Sequence, residues 1–379
     1  MIYLDNAATS WPKPEAVYAA VDDCLRNCGG SPGRGGHRLA RAASQIVFDA
    51  REEVAVLLGI RNSSSLIFAY NATDALNMAL FGLLKPGDKV VTTSMEHNAV
   101  TRTLRVLERQ GVALRVIQAD ERGQTTREDF RAALAQGATA VVVGHGSNVT
   151  GALAPLAEIG PLAAEAGAIL IVDAAQTAGV EDIDVAAMGI DVLAFSGHKG
   201  LLGPQGTGGL YVRDDLSVTP LRFGGTGSQS ESDAQPVFYP DRLESGTANT
   251  PGLAGLLAGV RFIRETGPAV IRNRERELTD LLLEGLSRIP GVTLYGPAAG
   301  ENRTAVVSFT VRGRDSGETA SQLDREYGIA CRGGLHCAPW AHRTIGTLRT
   351  GTVRFSPGYY TTRQEIDAAL LAVKEIAGR

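Results

Sequence analysis

AILIVDAAQ, residues 168–176, opens with five apolar residues in a row and then stops at an aspartate. A strand with one wet face alternates apolar and polar residues. A continuous run of valine, isoleucine and leucine belongs to a strand buried on both faces. The same texture recurs in LIFAY (66–70), KVVTTS (89–94), VALRVIQ (112–118), TAVVVG (139–144), DVLAFS (191–196) and GGLYV (208–212). Helix-like stretches separate these runs, among them TDALNMALFGLL (73–84) and PLAEIGPLAAEAG (155–167). Thr125 and Glu128 have capping-box spacing for a helix running to about Gln136. Strands separated by helices predict an α/β chain built on a large, mostly parallel, seven-stranded sheet with helices on both faces.

Upstream, HRLARAASQIVFDAREEVAVLLG (37–59) places apolar residues at helical spacing along one side. Beyond residue 250 the texture changes. A long helical stretch runs through about 288, followed by strands near 292–296 and 304–311, a helix at 317–327 and an extended segment at 351–356. Thr362 and Glu365 form a capping-box pair opening a terminal helix. This predicts a smaller C-terminal α+β unit. The expected division is 15–255 for the large unit, and 1–14 with 256–379 for the small one. The polar loop GGTGSQSESDAQPVFYPDR (224–242) belongs on the surface or at an interface.

The 379-residue chain carries a formal net charge of −4. That balance argues against a nucleic-acid partner, which calls for a basic excess. No apolar run approaches the roughly 20 residues needed to span a bilayer, so no membrane association is expected. MIYLDNAATSWPKP, at the start, lacks the features of a signal peptide. Four scattered cysteines fit a reducing compartment, and the expected location is the cytoplasm. Cys24 and Cys28 share a helix face. They could form half a metal site only with help from Cys331, Cys337, His336 or His342, and no zinc-type pair spacing supports that, so no metal is expected.

The nucleotide fingerprints G-x-G-x-x-G after a strand and G-x-x-x-x-G-K-[ST] are absent. Gly29-Gly30-Ser31-Pro32-Gly33 matches the letters of a nucleophile elbow, but a helix precedes it and a proline follows the serine, so it reads as a loop. FSGHKGLLGPQGTGG (195–209) is more informative: a strand ends at Ser196 and Lys199 follows in a glycine-rich turn. Asp173 ends an earlier buried strand, 26 residues upstream, where ligands bind in such sheets. A lysine amine and a carboxylate are what pyridoxal phosphate demands, one to bond its aldehyde and one to keep its ring nitrogen protonated. Thr73, opening a helix after LIFAY, offers a hydroxyl and an amide to a phosphate, and Ser196 and His198 could add donors.

DNAAT (5–9), NATDALN (71–77), SMEHNA (94–99), SNVTG (147–151), VDAAQ (172–176), SGHK (196–199), ESGTAN (244–249) and RGGLHCAP (332–339) occur in this order. Together they resemble the class V, fold-type I pyridoxal-phosphate enzymes, and within them the cysteine desulfurases. The last motif is similar to the group II branch, related to selenocysteine lyases. The resemblance implies Lys199 as the cofactor lysine, Asp173 as partner of the ring nitrogen and His97 on the ring's face. It implies Asn148 and Gln176 at the phenolic oxygen, and Ala72, Thr73, Ser196 and His198 around the phosphate. Thr247 would reach the phosphate from a second subunit, which makes a homodimer. Arg354 would hold the substrate carboxylate, with Arg332, Asn148 and His37 near the substrate.

In that chemistry Cys337 accepts sulfur from L-cysteine as a persulfide and L-alanine leaves. A sulfur-acceptor protein and iron–sulfur cluster assembly are the implied destination. A thiolate is the nucleophile in such exchange, and His336 and Arg332 lie beside it in sequence. Leu335 departs from the group II pattern, which has a histidine there. Selenocysteine lyase, cysteine sulfinate desulfinase and class V aminotransferase activities remain alternatives on the same scaffold. An aminotransferase has no need of Cys337, and a non-catalytic relative would have no need of Lys199.

Overall fold

The computed structural model describes residues 1–33 and 35–378. Strand β1 (Ile2–Tyr3) and helices α1 (Glu15–Asn27) and α2 (Arg38–Leu57) come first. An alternating stretch follows: β2 (Leu66–Ala69), α3 (Ala72–Leu83), β3 (Lys89–Thr93), α4 (Asn98–Arg109), β4 (Ala113–Ile117), α5 (Arg127–Leu134), β5 (Ala140–Gly144), α6 (Leu156–Glu165), β6 (Ile169–Asp173), β7 (Val192–Ser196) and β8 (Gly208–Val212). Then come α7 (Thr250–Thr266), α8 (Pro268–Ser287), β9 (Val292–Tyr295), β10 (Val307–Val311) and α9 (Ser316–Tyr327). The chain closes with β11 (Ile329–Ala330), β12 (Arg332–Gly334), α10 (Pro339–Thr344), β13 (Thr352–Phe355) and α11 (Arg363–Gly378).

Strands β2 to β8 form one seven-stranded sheet in the order β2-β8-β7-β6-β5-β3-β4. The run from β7 to β4 is parallel, and only β8 is antiparallel to its neighbours. Successive side chains point to opposite faces of a strand. Val141, Val143, Leu170, Val172, Leu193 and Phe195 therefore join a core shared with α2, α5, α6 and α7. Val90, Val142, Ile171, Val192 and Ala194 join a second core under α3 and α4. Both faces are covered, which is why the runs do not alternate.

A smaller antiparallel sheet, β12-β13-β10-β9, carries α8, α9 and α11, and Phe309 meets Phe355 edge-on in its core at 5.0 Å between ring centroids. The α/β class, the mostly parallel seven-stranded sheet and the smaller α+β unit all match the sequence reading.

Two local readings are corrected. The helical stretch expected through about 288 is two helices, because Gly267 takes a φ of 93° and Pro268 opens α8 as its first residue. The capping box at the start of α5 uses Thr126 and Asp129, not Thr125 and Glu128. Arg332–Gly334, which opens the RGGLHCAP motif, is an edge strand on β13. The boundary drawn after residue 255 falls inside α7, whose Val260 and Ile263 lie in the large sheet's core.

The strands β3, β5, β6 and β7 end at a common edge. From β3 the chain moves outward to β4, then crosses back to β5 on the other side. The gap between the ends of β3 and β5 is a topological switch point, where such sheets open a crevice.

Candidate active site

A cleft at that edge is lined by Ala72, Thr73, Glu96, His97, Asn148, Asp173, Gln176, Ser196 and Lys199. Lys199 comes three residues after β7, in a turn closed by a Gly203 N–H to Gly197 O bond of 2.8 Å. Burial lowers its amine from the usual 10.5 to about 8, against the opposing pull of Asp173. Asp173 is 8% exposed, and its Oδ1 accepts the Ala175 N–H at 2.9 Å. Burial pushes its carboxyl upward, while that N–H and Lys199 hold it down.

The N-terminus of α3 faces the same space. Asn71 caps it by accepting the Asp74 N–H at 2.9 Å, and the Ala72 N–H donates to Ser196 Oγ at 3.1 Å. Gly208 makes this approach feasible. A Cβ there would stand 2.6 Å from Asn71 Cα and 2.7 Å from Phe195 O, so only glycine lets the first turn of α3 close on β7 and β8. Thr73, exposed in that turn, adds a hydroxyl to the amides and the positive end of the helix dipole.

His97 caps α4, its Nδ1 accepting the Ala99 N–H at 3.0 Å. Burial first, then Lys199 and Arg332, bring its pKa down to about 4, so the ring is neutral with its proton on Nε2. Gln176 donates to Ala7 O at 3.1 Å, tying the N-terminal segment to the end of β6. Arg354, 1% exposed on β13, donates through Nη2 to Asp5 Oδ1 at 2.8 Å and through Nη1 to Asn148 O at 3.1 Å.

The exposed thiol Cys337 sits in a turn closed by an Ala338 N–H to Leu335 O bond of 2.9 Å. Its two central residues, His336 (φ 49°) and Cys337 (φ 58°), both take left-handed backbone, at a cost of about 1–2 kcal/mol each. Positive φ at both positions marks a type I′ turn, which ordinarily selects Asn-Gly. Asn148 Nδ2 donates to His336 O at 2.7 Å, and the Asn98 N–H donates to Cys337 O at 2.8 Å. The turn is thus pinned to the ends of β3 and β5. Arg332 Nη2 lies 3.6 Å from the Cys337 sulfur.

The His198 ring has its Nδ1 buried and without a hydrogen-bond partner. Other expected residues stand apart within the chain. Thr247 is exposed beside a separate hollow with Tyr70 and Arg222. His37 caps α2 by accepting the Ala40 N–H at 3.3 Å and is exposed. Cys331 packs against the small-sheet core, and burial raises its thiol to about 12.

Two acidic residues were not singled out from sequence. Asp5, in DNAAT, partners Arg354. Glu96, 2% exposed, accepts the Thr93 hydroxyl at 2.6 Å and the Gly144 N–H at 2.9 Å, bridging the ends of β3 and β5. Burial raises its carboxyl from the ordinary 4.5 to about 8. The available signal was an acid directly after a strand buried on both faces.

The family model described as aminotransferase class-V matches residues 2–369. A probable cysteine desulfurase from Methanothermobacter thermautotrophicus is 36% identical, over 100% of this chain and 95% of its own length. A second, from Pyrococcus abyssi, is also 36% identical, with 99% and 94% covered. The apo structure of a cysteine desulfurase from Thermococcus onnurineus NA1 superposes with a TM-score of 0.93 at 34% identity, covering 100% of this chain and 94% of that one. The S-sulfonic acid form of the cysteine desulfurase CsdA from Escherichia coli gives 0.88 at 30% identity, covering 98% and 94%.

Proposed function

This chain belongs to the class-V aminotransferase family, in its cysteine desulfurase branch, and from that premise we propose the reaction and the residues that carry it. It is a pyridoxal-phosphate-dependent cysteine desulfurase that converts L-cysteine to L-alanine and takes the sulfur onto Cys337. The carrying observation is the cysteine turn: an exposed thiol, held on strained backbone and pinned to the switch-point loops beside Lys199.

The donor set fits the cofactor. A lysine with a lowered amine pKa lies with a buried carboxylate in one cleft, and the first turn of a 12-residue helix opens onto it. Lys199 would hold the aldehyde, Asp173 the ring nitrogen and His97 the ring face. Asn148 and Gln176 would serve the phenolic oxygen; Ala72, Thr73, Ser196 and His198 the phosphate; and Thr247 the phosphate of a second copy in a homodimer. Bound there, the cofactor supplies an electron sink for negative charge on the substrate carbons.

The chain's own groups do the rest. Arg354 binds the substrate carboxylate, with Arg332 on the same side and His37 at the mouth. As a free amine Lys199 would be the base at the substrate Cα, and burial favours its neutral form. The Cys337 sulfur attacks the substrate sulfur. The Sγ–S bond forms, the substrate C–S bond breaks, and its electron pair takes a proton to become the methyl of alanine. A thiolate of a sulfur-acceptor protein of iron–sulfur cluster assembly in the cytoplasm then attacks the outer sulfur; the new S–S bond forms, the Sγ–S bond breaks, and Cys337 returns as the thiolate. The division at 15–255, against 1–14 with 256–379, is proposed with α7 as the bridging helix.

Alanine release from L-cysteine under a reductant, in wild type and Cys337→Ala, tests this. Loss of alanine with the cofactor absorbance kept supports it. Unchanged alanine sinks the role of Cys337 and directs assays to selenocysteine or cysteine sulfinate. No alanine from either protein favours aminotransferase chemistry.

A further inference from the structure

His336 immediately precedes the sulfur acceptor and is 3% exposed. Its Nε2 lies 3.0 Å from Thr352 Oγ1 on β13, and that hydroxyl donates to Ser308 Oγ on β10 at 3.2 Å. Because Thr352 spends its proton on Ser308, its oxygen accepts from His336, which puts the imidazole proton on Nε2. Nδ1 is buried with no hydrogen-bond partner, so a second proton there would have nowhere to go. Arg354 and Arg332 face the ring, and the His342 ring lies 5.5 Å away, with its own Nδ1 at 2.7 Å from Thr347 Oγ1. These surroundings oppose a positive charge, consistent with a pKa brought down to about 2 by burial first and then by those groups.

Two carbonyl contacts hold the left-handed pair His336–Cys337 from the backbone, and the His336 ring contact holds it from the side chain. We propose that His336 is a positioning residue: a permanently neutral imidazole whose Nε2–H hooks the cysteine turn onto the Thr352–Ser308 hydroxyl chain of the small sheet, and which carries no proton during turnover. The inference rests on Cys337 being the sulfur acceptor.

The test compares His336→Asn, His336→Ala and Thr352→Val in the cofactor-loaded enzyme. Asparagine tolerates left-handed backbone and keeps an N–H donor. Alanine release at saturating L-cysteine should fall about tenfold in His336→Ala and Thr352→Val, and stay within about threefold in His336→Asn. The His336→Asn pH profile should superimpose on wild type. Trypsin cleavage after Arg332, which needs no activity, should quicken severalfold in the first two variants and not in the third.

The proposal falls if His336→Asn is as slow as His336→Ala and loses a limb of the pH profile. It also falls if both hook-breaking variants match wild type in turnover and cleavage. Should His336→Ala not fold, Thr352→Val decides alone. If wild type releases no alanine, the desulfurase reading fails, while the cleavage rates still judge the hook.

Discussion

Replacing Glu96 by glutamine should make the protein more stable, and increasingly so as the pH rises. The Glu96 carboxyl titrates at about 8 in the fold, against 4.5 ordinarily. Between those values the folded protein holds a proton that the unfolded chain has released, so stability falls as pH increases through that window. The penalty is about 1 kcal/mol at pH 5 and about 3 kcal/mol at pH 7, from 2.3RT per pH unit between the two pKa values.

Glutamine is isosteric and always neutral. Its carbonyl can accept the Gly144 N–H, and its amide can donate to Thr93 Oγ1 in place of the bond that Glu96 accepts there, so both neighbours keep a partner. Asp191 and Glu275 are also raised by burial, but they contribute equally to both proteins and cancel in the difference. Denaturant unfolding of the two proteins at pH 5, 6 and 7 should show the gap widening by about 2 kcal/mol. A gap that stays constant with pH would refute a neutral buried Glu96. A deficit in Glu96→Gln would mean that its charge is needed.

In the cofactor-free protein, Lys199 should become acylable with a midpoint near pH 8, because the neutral amine reacts and burial has lowered it from 10.5 to about 8. Lys13, similarly buried and lowered to about 8, should behave alike. Peptide mapping after reagent pulses across pH reads both, and a midpoint near 10.5 would contradict the burial. Gly208→Ala should push the first turn of α3 off β8, costing about 1–3 kcal/mol in denaturant unfolding. It should also weaken cofactor retention on gel filtration, and unchanged retention would show that the close approach to Asn71 does not shape the cleft.

The large sheet was legible because its strands are buried on both faces, and continuous runs such as ILIVD admit few other readings. Lys199 and Asp173 could be found because each ends or follows such a strand, whereas His97 and Asn148 are legible only through the family resemblance carried by SMEHNA and SNVTG. Other features escaped for identifiable reasons. TTRED contains two overlapping capping spacings, and sequence cannot choose between Thr125 with Glu128 and Thr126 with Asp129. The break between α7 and α8 was written in Gly267-Pro268, but apolar periodicity runs across it. The roles of Asp5 and Glu96 depend on partners brought close only by the fold: Arg354 is distant in the chain, and Gly144 is reached across the switch point. The His336 hook joins the cysteine turn to two strands, β13 and β10, and no spacing in the sequence foreshadows it.

β1 pairs in parallel with β11, and Asp5 grips Arg354 across 349 residues of chain. During synthesis Ile2, Tyr3 and Asp5 therefore wait for these partners until residues 329–354 have emerged. The seven-stranded sheet draws on residues 66–212 and needs none of that late segment. Its cleft walls can form early, while Arg354 and the cysteine turn arrive later. Loop-closure entropy grows only slowly with length, so the delay adds little to the cost of the finished fold. Its effect is on order: a nascent chain can shape the cleft around Lys199 and Asp173 before it owns the Cys337 thiol.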